Sequence, residues 1–318
     1  MLAFVVLTPL VFAASFRDVP ATHPQYAAIE SLKNLGIVNG YSDGNFGPNG
    51  AVNRVEALSM ILKSAAIEIP EASGASGFSD VAVGDWFLKI VLKAKAIGIV
   101  NGNPDGSFAP ARQVNKAEFL KMLLQSFKKD LSQHQNLSSG VSADSKAGDW
   151  YLPYLSYAKL LGIIQPTLDN RLEPNKALTR AECAEIIYKL LIIERGGDTQ
   201  KLLSISEALL VNVLVNLNGN NIAAALKDAN DAVFYTEQAL KKSPDEGIVK
   251  AANKIAMGFQ KLCLGYQAGL SGDTELLKKY AQEAKDLAGA AYADSASTQE
   301  IGKKIKFQAD VLLQQVSK

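Results

Sequence analysis

A block of sequence that returns three times restricts what this chain can fold into more than any other feature. Phe16-Arg17-Asp18-Val19 reappears as Phe78-Ser79-Asp80-Val81, a shift of 62 residues. At the same shift Leu35-Gly36-Ile37-Val38-Asn39-Gly40 falls on Ile97-Gly98-Ile99-Val100-Asn101-Gly102 without a gap. Ser42 to Pro48 likewise falls on Pro104 to Pro110, and Val52-Asn53-Arg54-Val55-Glu56 on Val114-Asn115-Lys116-Ala117-Glu118. A third copy follows at a shift of 64, pairing Asp80 with Asp144, Trp86 with Trp150, Gly98 with Gly162, Asp105 with Asp169, Lys116 with Arg180 and Glu118 with Glu182. Self-similarity at such a period marks one supersecondary unit whose copies bury one another's apolar faces.

Each copy reads as helix, turn, helix. Ala28, Ile29, Leu32 and Leu35 recur at helical spacing and predict a first helix over Gln25–Leu35, with Gly36 as its left-handed cap. Ser42-Asp43-Gly44-Asn45 is turn chemistry, and Pro48 delays the second helix. That second helix opens on Asn53, Asn115 or Thr179, followed three residues later by Glu56, Glu118 or Glu182, a capping box in every copy. Between cap and box partner stands Arg54, Lys116 or Arg180. A cation there opposes the helix dipole at a cost of roughly 0.3 kcal/mol or more. The same unfavourable choice in all three copies points to an anion to be met.

Phe-x-Asp-Val, a Trp, Gly-Ile-Val-x-Gly, Asp-Gly-x-Phe-x-Pro and Thr-Arg-Ala-Glu, in that order, resemble the S-layer homology (SLH) repeat over residues 16 to about 192. The resemblance implies a pseudo-threefold, mainly helical unit that anchors proteins non-covalently to acidic or pyruvylated cell-wall polysaccharide, in grooves between repeats. It implies Arg54, Lys116 and Arg180 as anion contacts, supported by Asp18, Asp80 and Asp144. By the same resemblance Gly40 and Gly102 permit close backbone approach, and Trp86 and Trp150 shape groove walls. Taken alone, a large aromatic at a helix start is more often a core anchor. The copies also differ: Pro24 stands where the others have Trp, and copy three has Pro166 for the second Gly and Asn170 for the Gly after Asp. The grooves are therefore expected to be unequal, with that between copies one and two the best formed.

Other chemistry finds little support. Lys and Arg number 33 against 32 Asp and Glu, so no global basic field suggests nucleic acid. Asn101-x-Asn103-x-Asp105-Gly106 resembles the start of a calcium loop, but Arg112 stands where a bidentate acid is required, which leaves a plain turn. No zinc-protease, serine-elbow, phosphate-loop or dinucleotide motif occurs. Of the two histidines, His134 lies in the polar run 128–148 and is expected to be solvated in a linker. Cys183 and Cys263 are expected as two buried thiols rather than a bridge. No catalytic residue, metal or cofactor is assigned.

Leu2 to Ala14 is apolar and gives way to Ser15 and Arg17, which reads as a secretory signal over residues 1–14, although no basic residue precedes it and Pro9 interrupts it. It is short for a hydrocarbon core of ~30 Å, and no other transmembrane span is read from the sequence. Beyond Gly196-Gly197-Asp198, breaks at Asn218-Gly219-Asn220, Ser243-Pro244, Ser271-Gly272-Asp273 and Asp294-Ser295 divide the chain into five helical segments. An antiparallel helical bundle or short solenoid follows. Ala232, Ala239 and Pro244 fit a tetratricopeptide second helix, but the other signature positions do not.

The expectation is thus an exported all-α protein with repeats at 15–69, 77–130 and 141–194 and a bundle at 199–318. It anchors to a cell-wall polysaccharide at the cell surface and displays a bundle that could meet a surface-layer or envelope protein. A protein scaffold with repeats that have lost glycan affinity is the first alternative, and a surface enzyme with its site in the bundle is the second.

Overall fold

Eleven α-helices and two short 3₁₀ turns form the regular structure of the described residues, 14–71 and 74–315, of a computed structural model. Extended pairing among them is confined to three isolated bridges, so the chain is all-α. The secretory signal expected over residues 1–14 lies, except for Ala14, outside the described residues. The helices fall into two compact units: residues up to 163 with 173–190, and residues 164–172 with 191 onward.

The first unit holds α1 (Tyr26–Asn34) and α2 (Arg54–Ser64), then α3 (Leu88–Ala96) and α4 (Lys116–Ser126), then α5 (Leu152–Leu160) and most of α6 (Arg180–Arg195). Helices of nine residues such as α1, α3 and α5 do not persist alone in water, so their stability comes from the face they bury. In α1 that face is Ala28, Ile29 and Leu32. Leu35, expected on the same face, is 55% exposed, because the helix has ended at Asn34 and the chain reverses at Gly36 with φ +68°. Ile37 and Val38 take over the apolar load beyond the turn.

All three second helices carry the capping box read from the sequence. Asn53 accepts from the Glu56 amide at 2.9 Å while Glu56 accepts from the Asn53 amide at 3.1 Å, and Asn115–Glu118 and Thr179–Glu182 repeat the pattern. Just before each cap, one buried residue joins a closed cycle of backbone bonds. Val52 donates to the Leu178 carbonyl at 2.9 Å, Leu178 to Val114 at 3.1 Å, and Val114 back to Val52 at 3.1 Å. The cycle satisfies six polar groups that would otherwise be stranded in the core, and it requires all three copies at once.

Two local expectations change. Asn101–Gly106 is a plain turn as expected, closed by Asn103 donating to the Ser107 carbonyl, with Asp105 accepting from the Ser107 amide and hydroxyl. His134, however, is docked rather than solvated: a 3₁₀ turn at Ser132–His134 sets its Nδ1 2.7 Å from the Ser156 hydroxyl and its ring edge-on to Tyr157.

In the second unit α7 (Thr199–Asn218), α8 (Ile222–Lys242), α9 (Gly247–Leu270), α10 (Thr274–Asp294) and α11 (Gln299–Gln315) pack each on the next, with α9 also touching α7 and α11. The breaks fall where the sequence placed them. Small residues on α9 and α10, such as Ala251, Ala281, Ala284 and Ala288, let the helices approach closely around Phe259, Leu262 and Ile305. Leu168 belongs to this unit, packing on its core while its carbonyl accepts from Gln267. Contrary to the sequence reading, α7 is long and apolar enough by length and composition to cross a membrane. In the fold its Leu202, Leu209 and Val213 are buried.

Cys183 and Cys263 are both free and buried, and burial pushes the first thiol well above its ordinary value and the second up to about 12. Thiolates react, and neither forms readily here. Titration with a disulfide reagent is expected to find neither thiol in the native chain and both in denaturant.

Candidate functional site

The starts of the second helices lie at the three junctions between copies. There the first two helical amides are used by the neighbouring copy. Arg54 and Val55 donate to the Arg112 and Pro110 carbonyls, Lys116 and Ala117 to Lys176 and Pro174, and Arg180 and Ala181 to Gly50 and Pro48, all at 2.8–3.2 Å. The third amide goes to the cap side chain. No amide of that first turn is left to hold an anion, so any anion contact falls to the cationic side chains alone.

Those cations are brought into equivalent positions but not into equivalent states. Arg180 is 8% exposed; its Nε donates to the Phe46 carbonyl at 2.8 Å and an Nη to the Asn39 carbonyl at 3.0 Å, and its guanidinium lies over the rings of Tyr41, at 5.0 Å, and Phe46, at 4.6 Å. Lys116, with its side chain 12% exposed, sits 3.7 Å from the Glu173 carboxylate. Burial pushes its ammonium below its ordinary value, and Glu173 opposes that. Arg54 lies over the Phe108 ring at 4.9 Å, and its Nε is buried without a hydrogen-bond partner. Burial first, and Arg112 beside it second, disfavour its charge.

The aspartates hold the loops that these cations meet. Asp18 accepts from the Phe46 and Gly47 amides at 2.7 Å, and Asp80 from Phe108 and Ala109 at 2.7 Å. Asp144 accepts from Glu173 at 2.8 Å. Each carboxylate therefore fixes the loop presented to a neighbouring copy's cation: Phe46 to Arg180, Phe108 to Arg54, Glu173 to Lys116. For Asp18 burial raises the pKa, but the amide bonds outweigh it and hold the carboxyl below its usual range. A depressed folded pKa adds stability above about pH 4 that is lost as pH falls through the folded value. Asp18→Asn is expected to flatten the acid side of the stability curve, read by melting temperature between pH 2 and 7.

Trp86 and Trp150 are 65% and 53% exposed, so neither is a core anchor. Each rests edge-on against the aromatic residue that follows, Phe87 or Tyr151, and the Lys121 ammonium stands 5.6 Å over the Trp150 ring. At Gly40 and Gly102 the close approach is made by the chain itself: a Cβ would meet Phe16 Cε1 at 2.6 Å or Phe78 Cε1 at 2.3 Å. Three residues that shape the junctions were given no junction role from sequence: Tyr41, Arg112 and Glu173. Tyr41 and Glu173 break the repeat, standing opposite Asn103 and opposite Ala109 and Gly47, while Arg112 is matched by Lys176 in the third copy and by Gly50 in the first. Those departures were the available signal.

Three helical copies closed on one another, with cations and exposed aromatics at their junctions, define a repeat-built attachment module. The S-layer homology domain model matches residues 15–58, 77–120 and 143–184, so the chain carries three S-layer homology domains. Such domains make it a cell-surface, cell-wall-associated protein. Among its relatives are an amylopullulanase of Thermoanaerobacterium thermosulfurigenes, 34% identical over 54% of this chain and 9% of that protein. The surface-layer 125 kDa protein of Lysinibacillus sphaericus is 29% identical over 74% of this chain and 20% of its own length. An S-layer protein of Bacillus licheniformis is 30% identical over 57% and 20%. The chain thus spans a fifth or less of these three proteins.

Proposed function

We propose that this chain anchors non-covalently to the cell wall by binding an acidic, for example pyruvylated, polysaccharide at the junction of its first and second copies. The repeats at 15–69, 77–130 and 141–194 form the non-catalytic anchor, and residues 199–318 are the helical domain it displays. One observation carries the reading: Arg54 retains a buried, unpaired donor, whereas Arg180 is bonded to two carbonyls. A buried donor without a partner is costly, and an incoming carboxylate would satisfy it with a charge-assisted bond. Trp86, exposed on the second copy, offers an apolar face to a sugar ring. Relatives as different as an amylopullulanase and surface-layer proteins share sequence with this chain, which suits a portable anchor.

The internal pairing of Arg180 and Lys116 favours the rival reading, a surface-layer scaffold whose repeats only pack. Sedimentation of the full chain with isolated wall sacculi separates the two. Wild type is expected in the pellet. Arg54→Ala should weaken binding roughly tenfold to hundredfold, the weight of one charge-assisted hydrogen bond of about 1.5–3 kcal/mol. Wild type left in the supernatant on intact walls would favour the scaffold.

A further inference from the structure

The second junction has two cations in the positions of those of the first but one carboxylate more. Lys116 and Lys176 occupy the positions of Arg54 and Arg112, and in both junctions the outer cation pairs with the capping-box acid, Arg112 with Glu118 and Lys176 with Glu182. What differs is Glu173, whose carboxylate stands 3.7 Å from each lysine ammonium. The aligned residues are Ala109 and Gly47, so neither other junction has an acid at this point.

The backbone there gives no reason for a glutamate. Gly47, Ala109 and Glu173 all hold left-handed φ, at +72°, +58° and +52°, and each uses its amide on the aspartate of its own copy. Glycine suits that region best, and a side chain with a Cβ is strained in it. Glu173 is therefore explained by its carboxylate, which stands 3.7 Å from a largely buried lysine whose charge burial disfavours.

We infer that Glu173 sets the charge selectivity of the junction between the second and third copies: its carboxylate fills the seat that an acidic ligand group would take between Lys116 and Lys176. This rests on the anion-binding reading above. The chain then has one site for an acidic sugar, at Arg54, and removing the charge of Glu173 creates a second.

Calorimetric titration of the full chain with a methyl hexoside bearing a 4,6-pyruvate ketal tests this. Wild type is expected to bind one equivalent, Glu173→Gln two, Arg54→Ala one at roughly tenfold to hundredfold weaker affinity, and the double variant one strong equivalent beside that weakened one. Glu173→Gly, which installs the residue of the first copy and relaxes the backbone, should match Glu173→Gln, with melting curves as the check on folding. One equivalent in wild type and in both Glu173 variants overturns the inference and leaves the Arg54 reading intact. Two equivalents in wild type also overturn it. Silence in wild type with one equivalent in Glu173→Gln overturns the Arg54 reading alone, and silence throughout overturns both.

Discussion

Alanine at Arg180 is expected to destabilise the repeat unit by about 3–4 kcal/mol, whereas alanine at Arg54 should change its stability by no more than about 1 kcal/mol. The two positions align in sequence, yet their surroundings assign them opposite weights. Removing the Arg180 side chain strands the Phe46 and Asn39 carbonyls, each costing about 1–3 kcal/mol if water does not reach it, and empties the space over the Tyr41 and Phe46 rings. At Arg54 the losses are a cation–π contact with Phe108, worth about 0.5–2 kcal/mol, and the attraction of Glu118, offset by relief of an unpaired Nε and of repulsion from Arg112. Near-ultraviolet circular dichroism during urea unfolding can follow this, because the two tryptophans of the chain, Trp86 and Trp150, both lie in the repeat unit. A site-specific probe is needed, since a chain of two units need not unfold in one step. An Arg180→Ala variant as stable as wild type would mean that water replaces the lost donors and that this junction is open after all.

What could be read in the sequence was what is local. Helix starts were legible because cap and box partner lie three residues apart, and all three boxes form. The five helices of the second unit were legible because Gly, Pro, Asn and Asp interrupt otherwise helical composition at each break. The inequality of the three cations was not legible, because their partners lie in other copies: Phe46 and Asn39 are 134 and 141 residues from Arg180. The loops that the aspartates hold were not legible for a similar reason. Their amide partners are 28 and 29 residues downstream, across a turn whose path no periodicity fixes. Leu35 was misplaced for a geometric reason, since one residue past a helix end the 100° step no longer applies.

The glycines of the repeat provide the sharpest test of whether a family pattern reflects folding or binding. Gly102→Ala is expected to cost about 3 kcal/mol, and Gly98→Ala only about 1 kcal/mol. Both residues have positive φ, +78° and +75°, so the conformational penalty of a Cβ is common to the pair. Around Gly98 nothing lies within 4 Å of the added atom, whereas at Gly102 it would meet Phe78 Cε1 at 2.3 Å and the Ser107 carbonyl at 3.0 Å. The Phe78 ring cannot swing aside easily, since the Lys95 ammonium stands 4.3 Å from its centroid and the Phe108 ring 5.6 Å away. Overpacking of that kind costs about 1–3 kcal/mol beyond the backbone term. The third copy carries the natural counterpart: Ser142 replaces the phenylalanine, and Pro166 stands where the glycine was. Thermal melts of Gly98→Ala, Gly102→Ala, Phe78→Ser and the Phe78→Ser/Gly102→Ala double variant should therefore show coupling between positions 78 and 102, with the alanine cheaper once the ring is gone. If Gly102→Ala instead melts like Gly98→Ala but no longer sediments with wall sacculi, the glycine is kept for the approach of a ligand and the phenylalanine contact is incidental.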